Sequence, residues 1–413
     1  MWFYDVQGLF MHIIVVDEEV PYPLNSGKRI RTFNLLAPLA ARHDITFVCR
    51  KHEGSDSQRL EPFGIRTIVV DHPIRRKTGP AFYAALLANL FSQYPYSVSS
   101  HRSPELMKTI GRLHRESSFD LVHCEWTPYA ANIGSLWQIP SVADAHNVET
   151  QIWKRNWEVE NHSLRKAFIL RQWQKMQRFE QKVLPRFSRV IAVSEPDRAL
   201  MAQWVKPEKI DVIDNGVDTD YFKPAGLQPK PFAMVFTGSL DWRPNVDAML
   251  YFLEEIWPMV RSSHPQASIT IVGRNPMAAL KDKAAGMPGV TLTGTVDDVR
   301  PYMENAQAYI VPLRVGGGSR LKILEALAMK KAVVSTTVGA EGLALTHDED
   351  VLLADTPAAF AQKISRIFLV SGLRERLGDA GRRLVESRYD WRSLSAKLEM
   401  VWQAALVQEG RLN

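Results

Sequence analysis

Short runs of apolar residues alternate along the whole chain with longer segments of helical periodicity. Short continuous runs of this kind are typical of parallel strands that are buried on both faces of a sheet. The sequence predicts two series of such strands. The first comprises residues 12–16, 44–49, 65–70, 121–124, 141–143, 189–193 and 210–213, and the second comprises 233–236, 268–272, 290–292, 308–311, 332–335 and 351–353.

The intervals between these strands carry helical patterns. Predicted helices are 30–42, 245–262, 320–329, 357–368 and 373–387. Residues 153–184 lack proline and glycine, which predicts either one continuous helix or a helix pair. Alternating strands and helices predict two doubly wound α/β domains, and 413 residues suit two cores. The proline- and glycine-rich stretch 215–231 is the predicted linker.

Composition changes this picture only in detail. Apolar residues make up 46% and charged residues 23%, as in globular proteins. No apolar run reaches the ~18 residues of a membrane span, and residues 1–10 contain no lysine or arginine, so they are not predicted to be a signal peptide. Cys49 and Cys124 lie in strand-like runs, which indicates buried thiols in a reducing compartment. We therefore expect a cytoplasmic protein.

The net charge of +6 is unevenly distributed, because residues 151–200 hold 11 basic and 5 acidic side chains. This excess suits nucleic acid, an anionic membrane surface or a phosphorylated lipid, and a solvated helical face also explains it. A second candidate for membrane contact is the basic cluster 75–77 with the apolar residues after it, for which a surface helix docked on the core is the alternative. These apolar residues are Phe82, Tyr83, Leu86, Leu87, Leu90 and Phe91.

Residues 312–328 are the most informative segment for chemistry. A predicted strand runs into Gly316, Gly317 and Gly318, and Ser319 follows at the expected N-cap of a helix. Glycines permit close backbone approach, and helix-start amides favour an anion such as phosphate. Lys322 and Glu325 share one face of that helix, as a nucleotide diphosphate and its ribose would require. A glycine-rich turn with a solvated ion pair is the alternative.

The run 316–328, followed by 332–343, resembles the donor-site signature of family-4 retaining glycosyltransferases of the GT-B fold. Other segments agree and occur in the family's order. They are 21–27 with Arg29 and Arg31 in the acceptor domain, Ala145-His146-Asn147 at the active-site histidine turn, 193–195 and 213–218 before the linker, and 236–240, 271–273 and 293–296 in donor-domain loops. The resemblance covers nearly the whole chain from about residue 11.

The resemblance implies two Rossmann-like domains facing a cleft. Residues 1–212 would bind the acceptor, 213–388 would bind the donor, and a helix within 389–413 would cross back to the N-terminal domain. Glu325 would hold the ribose. Lys322 and Arg320 would contact the diphosphate, and His146 would contact the transferred sugar. The other donor-binding residues would be Gly27, Gly238, Gly273, Arg274, Gly316, Gly317, Gly318 and Ser319.

Two positions depart from the family's pattern. Gly317 stands where the family has a first glutamate eight residues before Glu325, and Ser239 and Pro244 stand where it has an arginine and a lysine. The departures resemble a branch involved in bacterial exopolysaccharide synthesis. Other cationic side chains must then balance the negative charge of the diphosphate. The candidates are Arg243, Arg274, Arg320 and Lys322.

The resemblance implies a retaining transferase that moves a sugar from a nucleotide-sugar donor to a polysaccharide, a lipid-linked precursor or another acceptor hydroxyl. A nucleotide-sugar 2-epimerase and a catalytically silent binding or assembly protein remain alternatives. We expect no cofactor and no metal ion, because the acidic pairs Asp218/Asp220 and Asp348/Asp350 lie in the linker and a loop. We also expect no nucleic-acid partner and a cytoplasmic location, with peripheral contact at the inner face of the membrane left open.

Overall fold

The computed structural model describes residues 9–24, 26–52, 56–72, 78–315, 320–408 and 410. The chain divides into two compact units. Unit 1 comprises Met1–Asp214 and Leu394–Asn413, and unit 2 comprises Asn215–Ser393. Each unit contains one parallel sheet with helices, which confirms the predicted α/β class. Gly316, Gly317, Gly318, Ser319 and the basic cluster 75–77 lie outside the described residues.

The sheet of unit 1 has seven strands in the order β3-β2-β1-β4-β5-β6-β7, and all neighbours are parallel. The strands are β1 (His12–Val16), β2 (Asp44–Arg50), β3 (Ile65–Val70), β4 (Leu121–Glu125), β5 (Ser141–Ala145), β6 (Arg189–Ala192) and β7 (Ile210–Val212). The strand order reverses between β1 and β4. In doubly wound sheets, such a reversal opens a crevice at the carboxyl ends of the strands, where ligands bind.

The α-helices that follow the strands of unit 1 are α1 (Gly27–Leu36), α2 (Pro80–Asn89), α3 (Tyr96–Ser99), α4 (Pro104–Ser117), α5 (Glu149–Val159), α6 (Ser163–Val183) and α7 (Glu195–Met201). Helices α5 and α6 show that segment 153–184 is a helix pair. The break follows Val159, because Glu160 leaves the helical conformation and its carboxylate accepts the His162 amide at 2.8 Å. Glu180 of α6 then caps the start of α5, accepting the amides of Glu149 and Thr150.

The sheet of unit 2 has six parallel strands in the order β10-β9-β8-β11-β12-β13. They are β8 (Ala233–Thr237), β9 (Ser268–Val272), β10 (Val290–Leu292), β11 (Ala308–Val311), β12 (Ala332–Ser335) and β13 (Leu352–Leu353). The order reverses between β8 and β11. The loops after these two strands therefore lie at the second ligand-binding edge that the topology predicts.

The α-helices of unit 2 are α8 (Arg243–Tyr251), α9 (Trp257–Ser263), α10 (Ala278–Ala284), α11 (Arg300–Glu304), α12 (Leu321–Ala328), α13 (Thr337–Ala340), α14 (Pro357–Leu369) and α15 (Leu373–Leu384). The predicted helix 245–262 contains a π-helical turn, Phe252–Ile256, between α8 and α9. Pro258 explains the irregularity, because it has no amide hydrogen to continue the α-helical bonding pattern.

The C-terminal helix, α16 (Trp391–Gln408), belongs to unit 1 from Leu394 onward. Ser395 donates a hydrogen bond to the Leu35 carbonyl at 2.8 Å, and Glu399 contacts His43 at 2.9 Å. Trp402 is fully buried and donates its indole hydrogen to His123 of β4 at 3.1 Å. Both polar and apolar contacts thus hold this helix against the N-terminal sheet.

Two further expectations concern the cysteines and membrane-spanning helices. Cys49 and Cys124 are both buried thiols without a disulfide. In the part of the chain that the structure describes, none of the helices combines the length and apolar character needed to cross a membrane.

Two helical glycines provide a test of the packing. A Cβ atom added to Gly378 of α15 would lie 2.3 Å from the Lys330 carbonyl oxygen, whereas one added to Gly111 of α4 would meet its nearest side-chain atoms at 3.6 Å. We expect Gly378→Ala to destabilise unit 2 by about 1–3 kcal/mol through overpacking. Gly111→Ala should stabilise unit 1 by roughly 0.5–1 kcal/mol, because alanine is the better helix former. Urea unfolding of the full chain measures both, and a neutral Gly378→Ala would contradict the packing described here.

Candidate functional site

Two glycine loops meet at the carboxyl edge of the unit 2 sheet. Gly238 follows β8 and Gly273 follows β9, and the Gly238 amide donates to the Val272 carbonyl at 3.0 Å. A Cβ atom on Gly273 would lie 1.9 Å from the Gly238 carbonyl oxygen. No side chain fits there, so glycine at position 273 is required by the close approach of two backbones.

The side chain of Lys322 points toward the Gly238 loop. A Cβ atom on Gly238 would lie 2.9 Å from its amine nitrogen, Nζ, and this amine donates to Oδ1 of Asn245 at 2.6 Å. Asn245 in turn donates to the Ser239 carbonyl at 2.8 Å. The amine also lies 4.2 Å from the centre of the Phe236 ring. Helix α12 fixes this orientation, because its opposite face is packed in the core.

Burial changes the ionisation of Lys322 and Glu325, which lie one turn apart on α12. Burial lowers the pKa of Lys322 to about 7, with Glu325 opposing the shift and Arg320 adding to it. Burial also raises the pKa of Glu325 to about 7, against the attraction of Lys322. Both side chains are therefore poised near neutral pH, where a bound anion would favour the charged form of Lys322.

The other predicted cations have different surroundings. Arg320 is buried and donates to the Val338 carbonyl at 2.8 Å, and it lies 3.5 Å from the Glu341 carboxylate. Arg274 is exposed and donates to the Ser239 hydroxyl at 3.1 Å. The structure therefore brings Lys322 to the two glycine loops and places Arg274 at their rim. The Arg320 guanidinium contacts the Val338 carbonyl of α13, and its expected contact with the diphosphate stays a prediction.

A second cluster lies at the carboxyl edge of the unit 1 sheet. His146 follows β5, and its Nε2 atom lies 2.5 Å from Oε2 of the fully buried Glu125, the last residue of β4. Burial disfavours the imidazolium, but the Glu125 carboxylate outweighs this effect and raises the pKa of His146. Burial likewise opposes ionisation of Glu125, and His146 and His123 together hold its pKa well below the usual range.

Sequence reasoning missed Glu125 as a partner of the predicted active-site histidine. A signal was present, because His123 and Glu125 alternate at the end of a buried strand and therefore face the same side of the sheet. Their pairing with His146 also depends on β4 and β5 being neighbours, which the residue pattern alone does not establish.

Gly27 is the first residue of α1 in unit 1. The Ser26 side chain caps this helix by accepting the Arg29 amide at 3.4 Å. The next side chain, Lys28, lies 2.6 Å from Asp17, which follows β1 and is buried. Burial raises the pKa of Asp17 to about 6, although Lys28 opposes the shift.

Ligand atoms of His123, Glu125 and Asp144 lie within 4.8 Å of one another, as in some metal sites. Their surroundings do not fit a metal ion. Glu125 bonds both histidines, and Asp144 lies 3.0 Å from the buried Arg31 guanidinium. Protein donors therefore already balance the two carboxylates, and a cation placed among them would face Arg31 and His146.

The acidic pairs named from the sequence also have protein partners. Asp218 accepts the amides of Asp220 and Tyr221, so it stabilises a turn. Asp348 lies 3.0 Å from Arg366.

Known protein families match both units. Residues 26–221 match the model described as Glycosyltransferase Family 4, and residues 231–369 match the model described as Glycosyl transferases group 1. A relative from Klebsiella pneumoniae, an uncharacterized 44.6 kDa protein in the cps region, is 24% identical over 382 residues. The match covers 88% of this chain and 92% of the relative.

Solved structures share the fold. Sucrose-phosphate synthase from Thermosynechococcus elongatus has a TM-score of 0.69 at 18% identity, covering 96% of this chain and 99% of that one. Anabaena HepE in complex with UDP and glucose has a TM-score of 0.64 at 15% identity, covering 95% and 99%. These likenesses confirm the GT-B fold. The two family matches show that the chain belongs to the family-4 and group-1 glycosyltransferases, enzymes that transfer a sugar from a nucleotide-sugar donor.

Proposed function

We propose that this enzyme is a retaining glycosyltransferase whose donor diphosphate is held in unit 2 by the Gly238 and Gly273 loops and by Lys322. The observation that carries the proposal is the position of the Lys322 amine, which is partly buried beside the Gly238 backbone and hydrogen-bonded to a neutral amide oxygen. A partly buried cation with a neutral acceptor favours an incoming anion. Glu325, on the same helix face, would bind the ribose hydroxyls.

The proposed reaction uses no protein nucleophile. Lys322 stabilises the diphosphate as the bond to the sugar breaks, since a preorganised cation acts where charge develops. An oxygen of the departing diphosphate removes the proton of the acceptor hydroxyl, which attacks the same face of the sugar. His146, held by Glu125 through Nε2, presents its Nδ1 atom to a hydroxyl of the transferred sugar. No metal ion or cofactor takes part in this mechanism.

The proposed acceptor is a hydroxyl of a growing polysaccharide or of its lipid-linked precursor. The relative from the cps region of Klebsiella pneumoniae supports an exopolysaccharide role. We infer that unit 1 contacts the inner face of the cytoplasmic membrane to reach such an acceptor.

The surface around α2 supports this membrane contact. Helix α2 carries no charged residue, and Tyr83, Leu87 and Phe91, four residues apart, are 64%, 65% and 93% exposed. Helix α6 is hydrogen-bonded to the C-terminal end of α2, because Lys175 donates to the Asn89 carbonyl at 2.5 Å. Basic residues on α6 suit anionic lipid head groups. The exposed ones are Arg165, Arg171, Arg178 and Lys182.

The pKa of Lys322 predicts how nucleotide affinity depends on pH. The amine has a pKa of about 7 without ligand, and a diphosphate raises that pKa, so binding above pH 7 takes up a proton. We expect the affinity of the tightest-binding nucleoside diphosphate, with UDP and GDP tested first, to fall by up to about tenfold per pH unit between pH 7 and 9. Isothermal titration calorimetry measures both the affinity and the proton uptake.

The controls isolate Lys322 from its neighbour. Glu325→Gln removes the other group that titrates near pH 7 and should retain the decline. Lys322→Ala should bind more weakly at pH 7 and lose the decline, whereas Lys281→Ala, at an exposed lysine of α10, should behave as wild type. A pH-independent wild-type affinity, or an unchanged decline in Lys322→Ala, would contradict the assignment.

His146→Ala removes one donor to the buried Glu125 carboxylate and should lower the melting temperature. The folded protein should bind the nucleoside diphosphate normally, because the proposed nucleotide contacts are in unit 2. Sugar transfer should fall at least about tenfold, which corresponds to about 1.4 kcal/mol of barrier. Melting temperature, affinity and transfer rate are measured on one preparation. His162→Ala, at an exposed position between α5 and α6, is the matched control, and normal specific activity of folded His146→Ala would refute the catalytic role.

The α2 surface predicts binding to anionic vesicles. We expect the double variant Leu87→Ser/Phe91→Ser to lower partitioning onto phosphatidylcholine vesicles containing phosphatidylglycerol by at least about tenfold, since each buried side chain contributes about 1.5–3 kcal/mol. Leu369→Ser/Val370→Ser changes two exposed apolar residues of unit 2 and is the control. Flotation assays distinguish the two variants, and equal partitioning of wild type and the α2 variant would refute this surface.

A further inference from the structure

A chain of hydrogen bonds runs through the interior of unit 1 from the C-terminal helix to His146. The Trp402 indole nitrogen lies 3.1 Å from Nδ1 of His123. The other ring nitrogen of His123, Nε2, lies 3.2 Å from Oε1 of Glu125. The second carboxylate oxygen, Oε2, lies 2.5 Å from Nε2 of His146.

The direction of each hydrogen bond follows from the chemistry of the groups. An indole nitrogen can only donate, so Nδ1 of His123 must accept. The proton of His123 is therefore on Nε2, and His123 is a neutral donor to Glu125. This bond occupies one carboxylate oxygen, and the other accepts the Nε2 proton of His146. For His146, Nδ1 is then the ring nitrogen that remains to meet a substrate.

The hydrogen-bond chain is buried in the interior of unit 1. Trp402, His123 and Glu125 have no exposed surface, and the His146 side chain is 10% exposed. The Trp402 ring also packs edge-on against His123, with 5.8 Å between the ring centroids. A buried carboxylate requires such donors, since losing one leaves it under-solvated.

We propose that Trp402 is a positioning residue for sugar transfer, which fixes the tautomer of His123 and, through Glu125, the orientation and proton position of His146. The inference rests on the proposed role of His146 and adds a dependence on the C-terminal helix. Helix α16 thus supplies the end of the hydrogen-bond chain as well as apolar packing. If α16 does not pack against the rest of unit 1, His123 loses the Trp402 indole donor, which determines the ring nitrogen that holds the His123 proton.

Other charged groups also surround His146, and they affect its titration without depending on Trp402. Asp144 favours its protonated form and Arg31 opposes it. The Glu149 carboxylate also interacts with it, and burial raises the pKa of Glu149. A shift in the pH profile alone therefore does not identify the contribution of Trp402, whereas the tautomer of His123 does.

The test combines Trp402→Phe with histidine NMR on the full chain. Phenylalanine retains an aromatic ring in the core but lacks the indole hydrogen. Selective ¹⁵N labelling should show wild-type His123 as the neutral tautomer with its proton on Nε2, and Trp402→Phe should show a mixture of forms and an altered His146 signal. Loss of one hydrogen bond should lower the transfer rate constant kcat about two- to tenfold, with the donor KM unchanged.

Leu398→Ala is the matched control, because Leu398 is fully buried on the same helix but has an apolar side chain. It should lower stability while leaving the His123 tautomer and the kcat of the folded fraction unchanged. An equal loss of kcat in both variants would show that Trp402 acts only through packing and would overturn the proposal. An unchanged tautomer in Trp402→Phe would also overturn it.

The wild-type spectrum is decisive even if Trp402→Phe does not fold, because a His123 proton on Nδ1 would contradict the chain directly. The NMR result also separates this inference from the proposed function. Normal transfer by His146→Ala would refute the catalytic role of His146, whereas the His123 tautomer reports the hydrogen-bond chain independently of activity.

Discussion

Charged side chains at the carboxyl ends of buried parallel strands need partners within the protein, and this requirement shapes both candidate sites. In unit 1 it is met by oppositely charged or hydrogen-bonding groups. Lys28 forms an ion pair with Asp17, Arg31 with Asp144, and His146 with Glu125. Removing one member of such a pair leaves a buried charge uncompensated, which is costly. The ionic pairs therefore hold the loops of this edge in fixed positions.

Unit 2 meets the same requirement differently. The amine of Lys322 bonds a neutral amide oxygen, and its pKa of about 7 reflects the cost of a charge that the protein alone stabilises poorly. A diphosphate would supply the missing negative charge. The difference between the two edges explains why unit 1 contains a fixed hydrogen-bond chain whereas unit 2 presents a titratable amine.

The sequence predicted most of the fold because the determining features are local. Continuous apolar runs set the strands of both sheets. The strand Ser268–Val272 has the predicted bounds, whereas the helix pair within 153–184 was left undecided, because its break depends on the Glu160 side chain accepting a nearby amide. The periodicity of apolar residues alone could therefore not distinguish one helix from two.

The sites were less predictable, because their side chains meet through tertiary contacts. The position of Lys322 on a helix face could be predicted, but its bond to Asn245 joins residues 77 positions apart. The contact between Trp402 and His123 joins residues 279 positions apart. The direction of Arg320, toward the Val338 carbonyl, likewise depends on the packing of a neighbouring loop. None of these partners follows from residue spacing.

The most direct test of the central claim is the stereochemistry of the transferred sugar. Proton NMR follows the anomeric signal while the enzyme acts on a panel of nucleotide sugars with an acceptor and a chelator. A retaining transferase should release nucleoside diphosphate only when the acceptor is present, and its product should have the anomeric configuration of the donor. Inverted product would contradict retention. Epimerised sugar released without an acceptor, or donor binding without turnover across the panel, would contradict glycosyl transfer itself.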